Sequence, residues 1–236
     1  MRIPPQSFLD SAEHMGIAFE GDDLDRLGAW LELLVEGNER MNLTRILHPE
    51  DAWHRHVLDS LSLLPMITTA EAESLIDIGS GGGAPGIPLA IVCPELQVGL
   101  VETAGKKARF LEETVAALKL SNVTVFNDRA ERLAALDEPQ REVWDVVVAR
   151  AVGRLPVLLE LTIPFARVGG HVLAIKGEQA TAEIEESKAA LHRLHATVVE
   201  TVRTTTGTVV VIEKPRPTPK CYPRGAGEPA RSPLGH

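Results

Sequence analysis

The segment Asp77-Ile-Gly-Ser-Gly-Gly-Gly-Ala-Pro-Gly86, led in by Ser-Leu-Ile, constrains this chain of 236 residues more than any other stretch. An apolar run ends in an acid and then breaks into glycines, as in a strand-to-helix turn whose backbone lies against a nucleotide-like ligand. Side chains at Gly79, Gly81 and Gly83 would fill the space such a ligand needs, and a helix starting near Gly86 would aim its positive end at the same place. Two ligand classes match the string. Gly81-x-Gly83-x-x-Gly86 is the dinucleotide fingerprint, and Asp77-x-Gly79-x-Gly81-x-Gly83 is the pattern of S-adenosyl-L-methionine (SAM) sites. The strand runs to Ile78, so the turn opens at Gly79 and the register favours SAM. Pro85 and Pro88 also suit a first helical turn better than a deep pyrophosphate cradle. Glu102, closing the next apolar run, would take ribose hydroxyls in either case. From the loop alone, a nicotinamide cofactor or a turn that merely packs stays open.

From Ser74 onward the apolar runs alternate in type. Strands fit 74–79, 96–101, 122–126, 143–149 and 171–176, with helices near 86–92, 105–119, 155–166 and 179–195. This is the βαβ rhythm of a parallel sheet covered on both faces. Thr197 to Val202 and Thr208 to Glu213 then form two β-rich runs joined by Thr-Thr-Thr-Gly, a hairpin-like connection. The expected class is therefore α/β: a doubly wound seven-stranded sheet of the class I SAM-dependent methyltransferase (Rossmann-like) type. The six-stranded all-parallel dinucleotide fold does not end this way.

Ahead of the sheet, residues 22 to 40 carry Leu24, Leu27, Trp30, Leu31 and Leu34 at helical spacing, and Pro49 opens a second helix to about Leu64. Together they predict an N-terminal helical cap over residues 1–70, with the SAM-binding domain over 71–214. Gly37 inside the first helix is a weak point, at about 1 kcal/mol relative to alanine. Residues 215 to 236 hold six prolines and three glycines among basic residues, which predicts a flexible basic tail.

Two cysteines, Cys93 and Cys221, stand too far apart in sequence to suggest a disulfide scaffold or a zinc site. No run approaches the roughly 20 apolar residues of a membrane span, and the first residues lack a signal peptide's apolar stretch. A cytoplasmic monomer without membrane contacts is expected. The formal charge of −9 disfavours nucleic acid as a partner, but its distribution does not. Lys106, Lys107 and Arg109, then Arg129 and Arg132, then Arg150 and Arg154 follow three predicted strands, so they should share one sheet edge. Lys214, Arg216, Lys220, Arg224 and Arg231 lie in or beside the tail. Each cluster could equally be a solvated helix face.

If the ligand is SAM, the methyl acceptor decides the machinery. Exocyclic amines need a polar-Pro-Pro-aromatic clamp, and the segment after the fourth strand reads Ala149-Arg150-Ala-Val-Gly instead. Pyrimidine carbon 5 needs a cysteine nucleophile, for which neither Cys93 nor Cys221 is placed. Ribose hydroxyls need a lysine-centred acid/base set, and Lys176 alone is thin support. Guanine N7 has a free in-plane lone pair, so proximity and in-line orientation suffice; it fits by exclusion. Arg150 could position the guanine or phosphate, or simply pair with an acid across the sheet. Arg129-Ala130-Glu131 could grip an adenine ring with backbone amides, or simply start a helix. No catalytic base is identified. His54 and His56, two apart on a helix, cannot share a metal, and His192 and His195 have no third ligand nearby, so no metal is expected.

The chain resembles the RsmG (GidB) family of bacterial methyltransferases, which modify a guanosine N7 in small-subunit ribosomal RNA. The matching residues are Asn38-x-x-x-Asn42-Leu-Thr, Arg55-His56-x-Leu58-Asp59-Ser60, the glycine loop with Ile87-Pro-Leu-Ala, and Gly105-Lys-Lys-Ala-Arg-Phe-Leu. Arg129-Ala-Glu, Ala149-Arg-Ala-Val, Lys176-Gly177 and Tyr222-Pro-Arg-x-x-Gly-x-Pro follow in order. The resemblance implies methyl transfer from SAM to a guanosine N7 in the 530 loop of 16S rRNA, on naked rRNA or the small ribosomal subunit. It implies cofactor contacts at Gly79, Ala84, the backbone of Ala130 and Glu131, and Arg150, with Glu102 at the ribose hydroxyls; the loop pattern itself adds Asp77, Gly81 and Gly83. Lys106, Arg129, Arg150 and Arg224 become the candidate RNA contacts. Ala84 is small where the family commonly has Phe or Leu, and Gly37 stands where it usually has tryptophan.

Overall fold

The structure is a computed structural model and is described for residues 2–235. Its centre is one seven-stranded sheet in the order β3-β2-β1-β4-β5-β7-β6. The strands are β1 (Ser74–Ile78), β2 (Gln97–Val101), β3 (Val123–Phe126), β4 (Trp144–Arg150), β5 (Ala166–Lys176), β6 (Thr197–Arg203) and β7 (Thr208–Glu213). Neighbours among β1 to β5 pair in parallel, while β7 runs antiparallel to both β5 and β6. Side-chain alternation divides the core in two. Leu75, Val146, Val148, Leu173, Val209 and Val211 point to one face, and Ile76, Val147, Ala149, Val172, Ala174 and Val210 to the other. Near-continuous β-branched runs such as Val146–Val148 arise because both faces are covered.

The first face lies under the N-terminal helices α1 (Gln6–His14), α2 (Asp23–Asn38), α3 (Pro49–Ala52), α4 (Asp59–Leu61) and α5 (Leu64–Thr69), together with α6 (Gly86–Val92) and α7 (Gly105–Ala117). Phe8, Trp30, Leu31 and Trp53 share one cluster with sheet residues, so these helices form a layer of the same core. The opposite face lies under α8 (Ala130–Leu133), α9 (Leu155–Thr162), α10 (Ala180–Glu186) and α11 (Lys188–Leu194). No helix among the described residues is long and apolar enough to cross a membrane, and no cluster of metal-ligating side chains occurs among them.

Several expectations need correction. Helix α1 escaped the periodicity reading. Between α3 and α4 the chain runs as a π-helix over Trp53–Leu58, a wide turn that hydropathy does not announce. The expected helix 179–195 breaks at Ser187 into two, and β5 starts at Ala166 rather than 171. Gly37 is not a weak point: a β-carbon there would lie 2.6 Å from the Phe110 ring, so the glycine admits an aromatic side chain from α7.

The flexible-tail expectation fails most clearly. Lys214 is fully buried, and its ammonium donates to Glu142 at 2.6 Å and to the Ala166 carbonyl at 2.7 Å. Arg141 donates to the carbonyls of Tyr222 and Thr218 at 2.8 and 3.1 Å. Arg224 is bound to the fully buried Glu160 on α9. A last short helix, α12 (Glu228–Arg231), precedes Leu234, which is buried in the second cluster. Composition misled because the segment contributes staples and one leucine to a core that other residues build.

Candidate active site

The loop after β1 is shaped mainly by the protein's own contacts. Asp77 is buried, and its Oδ2 accepts from the Gly86 amide at 3.1 Å, tying the end of β1 to the start of α6. Burial pushes its carboxyl up to about 7, against the Gly86 hydrogen bond and the Arg150 charge. Its Oδ1 has no hydrogen-bond partner. The amides of Gly79 and Ser80 both donate to the Val101 carbonyl at 2.9 and 3.0 Å. Gly79, Gly81 and Gly83 all have positive φ, of 77°, 55° and 100°.

At Gly79 and Gly83 the protein's own side chains, and not a ligand, would meet a β-carbon; at Gly79 the Val152 side chain would lie 2.9 Å from it. At Gly83 a β-carbon would strike Ile87 at 2.4 Å, and at Gly82 it would strike Leu34 of α2 at 2.5 Å. Only at Gly81 would it meet nothing nearer than 3.9 Å, so this is where the turn opens outward. Trp30 of α2 donates its indole N–H to the Gly82 carbonyl at 3.2 Å, so the helical layer buttresses the loop directly. Ala84 is buried in the same cluster, inside the turn.

Three neighbouring strand ends complete the edge. Glu102, after β2, accepts from the Gly81 amide at 3.1 Å and the Ala104 amide at 2.8 Å. Asn127, which the sequence reading missed, donates to the Glu102 carbonyl at 2.8 Å and binds the ends of β2 and β3 together. At the start of α8 the amides of Ala130 and Glu131 are first-turn donors that the helix itself does not use. The Glu131 side chain, by contrast, accepts from the Gly227 amide at 2.6 Å and is committed to the C-terminal segment. A carboxylate beside Gly81, open space over that glycine and unclaimed amides at α8 fit a ribose and a flat heterocycle. Lys106 and Arg129 are exposed on the same edge.

Arg150 ends β4 and joins this edge to a second cavity. Its guanidinium donates to the Arg55 carbonyl at 3.1 Å and meets His56 Nδ1 at 3.5 Å. Burial lowers its pKa, while the charges of Asp77 and Asp59 raise it, so it lies electrostatically between the two carboxylates. The cavity, of about 360 Å³, is lined by Arg55, His56, Asp59, Arg150, Lys176 and Thr206 among others. Arg55 and His56 come from the π-helix, and Thr206 from the turn between β6 and β7. Asn38 sets the approach: its Oδ1 accepts from the amides of Leu43 and Thr44 at 2.7 and 2.8 Å. That turn brings Thr44 Oγ1 to 2.8 Å from His56 Nε2.

His56 is buried, and burial, with Arg150 and Arg55 beside it, lowers its pKa to about 4. It is neutral at physiological pH, with Nδ1 facing Arg150 and the Nε2 proton facing Thr44. Lys176 is also claimed, by the Gly153 carbonyl at 2.5 Å and Glu183 at 3.0 Å. The cavity therefore offers donors and two carboxylates, Glu183, which Lys176 holds, and Asp59, whose bonding is incomplete. Of the predicted site residues, the structure brings together Asp77, Gly79, Gly81, Glu102, Ala130 and Arg150. Arg224, expected among the RNA contacts, has its guanidinium held by the Glu160 carboxylate of α9. His56, Asp59 and Thr206 were not singled out as site residues. The motif Arg55-His56-x-Leu-Asp-Ser was the available signal.

A family model described as rRNA small subunit methyltransferase G matches residues 23–210. Proteins named ribosomal RNA small subunit methyltransferase G are similar over nearly the whole chain. That of Sorangium cellulosum is 45% identical over 221 residues, covering 93% of this chain and 92% of the relative. That of Desulfitobacterium hafniense is 41% identical over 228 residues, covering 94% of each. Among solved structures, the O-methyltransferase from Bacillus cereus in complex with SAH superposes with a TM-score of 0.57 at 17% identity, covering 86% of this chain and 96% of that one. The O-methyltransferase TomG from Streptomyces achromogenes gives 0.56 at 16%, covering 87% and 96%. These likenesses show the class I SAM-dependent methyltransferase fold.

Proposed function

This chain belongs to the rRNA small subunit methyltransferase G family, and on that premise we propose that it transfers the methyl group of SAM to N7 of a guanosine in the 530 loop of 16S rRNA. Bound SAM supplies an electrophilic methyl on a sulfonium, which leaves as the neutral thioether of S-adenosylhomocysteine. Glu102 takes the ribose hydroxyls, the amides of Ala130 and Glu131 take the adenine ring, and Gly81 gives the backbone room to approach. Lys106 and Arg129, exposed on that edge, meet RNA phosphates. The protein acts in the cytoplasm as a monomer.

The observation that carries the choice of acceptor is that the cavity beside Arg150 has no histidine or lysine free to take a proton, and that its incompletely bonded carboxylate, Asp59, lies beside the Arg150 charge. His56 is neutral and directed at Arg150, and Lys176 is held by a carbonyl and a carboxylate. Amine or hydroxyl acceptors must lose a proton during transfer. Guanine N7 loses none, so positioning the lone pair in line with the methyl carries the rate. Arg150, gripped through its own donors, is the group that holds the base in place.

Nucleoside mass spectrometry of 16S rRNA from cells with and without this gene tests the reading. The 7-methylguanosine of that loop should vanish on deletion and return with the intact gene. An unchanged signal would discard the proposal.

A further inference from the structure

The cavity lined by Arg55, His56, Arg150 and Thr206 holds one carboxylate whose hydrogen bonding is incomplete. Asp59 Oδ2 accepts from the Thr206 hydroxyl, whereas Oδ1 is sealed from water and has no partner. A buried acceptor without a donor is unfavourable, so the site is completed when something brings a donor in. The carboxylate torsion is soft, so either oxygen can turn to the cavity while the other keeps Thr206. Burial raises the Asp59 pKa, while Thr206, Arg150 and Arg55 oppose that rise. Asp59 and Arg150 stand close enough to shift each other's titration, which makes them an acceptor and a donor side by side.

Guanine presents a complementary pair on its Watson–Crick edge: O6 accepts, and N1–H and the 2-amino group donate. Adenine reverses the first two, with a donor at N6 and a lone pair at N1. Enzymes that take a base out of its stack read it through this edge. Resting on the methyltransferase reading above, we propose that Asp59 is the specificity-determining residue of the acceptor pocket, accepting N1–H and the 2-amino group of the guanine while Arg150 donates to O6. The Hoogsteen side, and N7 with it, is then left free to face the methyl group. It follows that the target guanosine is unpaired when it is methylated.

The experiment compares small subunits reconstituted with guanosine or with 2,6-diaminopurine riboside at the methylated position. The analogue keeps N7 and the 2-amino group but turns O6 into a donor and N1 into an acceptor. The native protein should methylate it at least 100-fold less efficiently than guanosine in kcat/KM. Asp59→Asn, whose amide can donate to N1, should lower the guanosine rate and shrink that ratio to below tenfold. A merely structural role would depress both substrates in parallel and leave the ratio unchanged. SAM uptake by calorimetry confirms that the variant is folded. Equal rates of the native protein on both bases overturn the proposal even if the variant fails to fold, as does an unchanged ratio in a folded Asp59→Asn protein. Absence of any methylation of guanosine subunits by the native protein overturns instead the reading on which it rests.

Discussion

The two halves of the active edge are built on opposite terms. On the side proposed for the cofactor, the loop backbone is fixed by contacts within the protein, although Asp77 Oδ1 and the first amides of α8 are left over. Glu102 holds Gly81 and Ala104, Asp77 holds Gly86, and Val101 takes two loop amides. On the side proposed for the acceptor, a neutral histidine, a half-satisfied aspartate and a half-buried guanidinium share one cavity. The first half is preorganised, so a ligand adds contacts without rearrangement. The second is electrostatically incomplete and is finished by what enters it.

That contrast can be broken, first and most severely, at Arg150. Arg150→Ala should lower methyl transfer to rRNA roughly 1000-fold, or ~4 kcal/mol, and weaken SAM binding less than tenfold. Single-turnover methylation and calorimetry on the same preparation separate the two. Equal losses in both would dissolve the division into halves.

The next effect concerns the C-terminal segment, which supports only the cofactor side through Gly227 and Glu131. Arg224→Ala strands the fully buried Glu160 carboxylate. Urea unfolding should register a loss of about 3–4 kcal/mol, because a buried charge is left without its partner. A loss below 1 kcal/mol would mean that the segment is peripheral.

The halves should also titrate in opposite senses. His56 protonates near 6.5 when unfolded and near 4 when folded, through its burial. Its contribution is intact above pH 6.5 and fades as the pH falls towards 4, by about 3 kcal/mol in all. Asp77 behaves inversely: its folded carboxyl holds its proton to about pH 7, so the stability it lends at pH 4 is lost as the pH rises through 7. Both windows lie between about pH 4 and 7, so in denaturation curves against pH His56→Asn should remove the part of the slope that rises with pH and Asp77→Asn the part that falls. Slopes that survive these substitutions would assign the effect elsewhere.

Smallest is Glu102→Gln. The amide still spaces β2 from the loop but loses the charge for ribose hydroxyls, so the Kd for SAM should rise about tenfold. At saturating SAM, methyl transfer should stay within twofold of native.

Legibility divides along the same line. The cofactor side was readable because Asp77 to Gly86 is contiguous and each strand ends in its own signal, such as Glu102 or Arg129-Ala130-Glu131. The alternating runs likewise reveal the seven strands. The acceptor side was hidden because its members are scattered: Thr44, the pair His56 and Asp59, Arg150 and Thr206 come from distant parts of the chain. A π-turn, invisible to a 3.6-residue period, carries two of its side chains. The tail was misjudged for a different reason. Prolines and glycines describe the segment's own packing capacity, and say nothing of the acids, Glu142 in the turn before β4 and Glu160 on α9, waiting to receive its cations.

One further consequence lies in the indole of Trp30. It is shut away from water, and its N–H rests on the carbonyl of Gly82. Any shift of the turn on SAM binding must alter that contact, so the tryptophan is an optical probe native to the chain. An emission that stays unchanged as SAM is added would mark the loop as preorganised, with no label and with no RNA present.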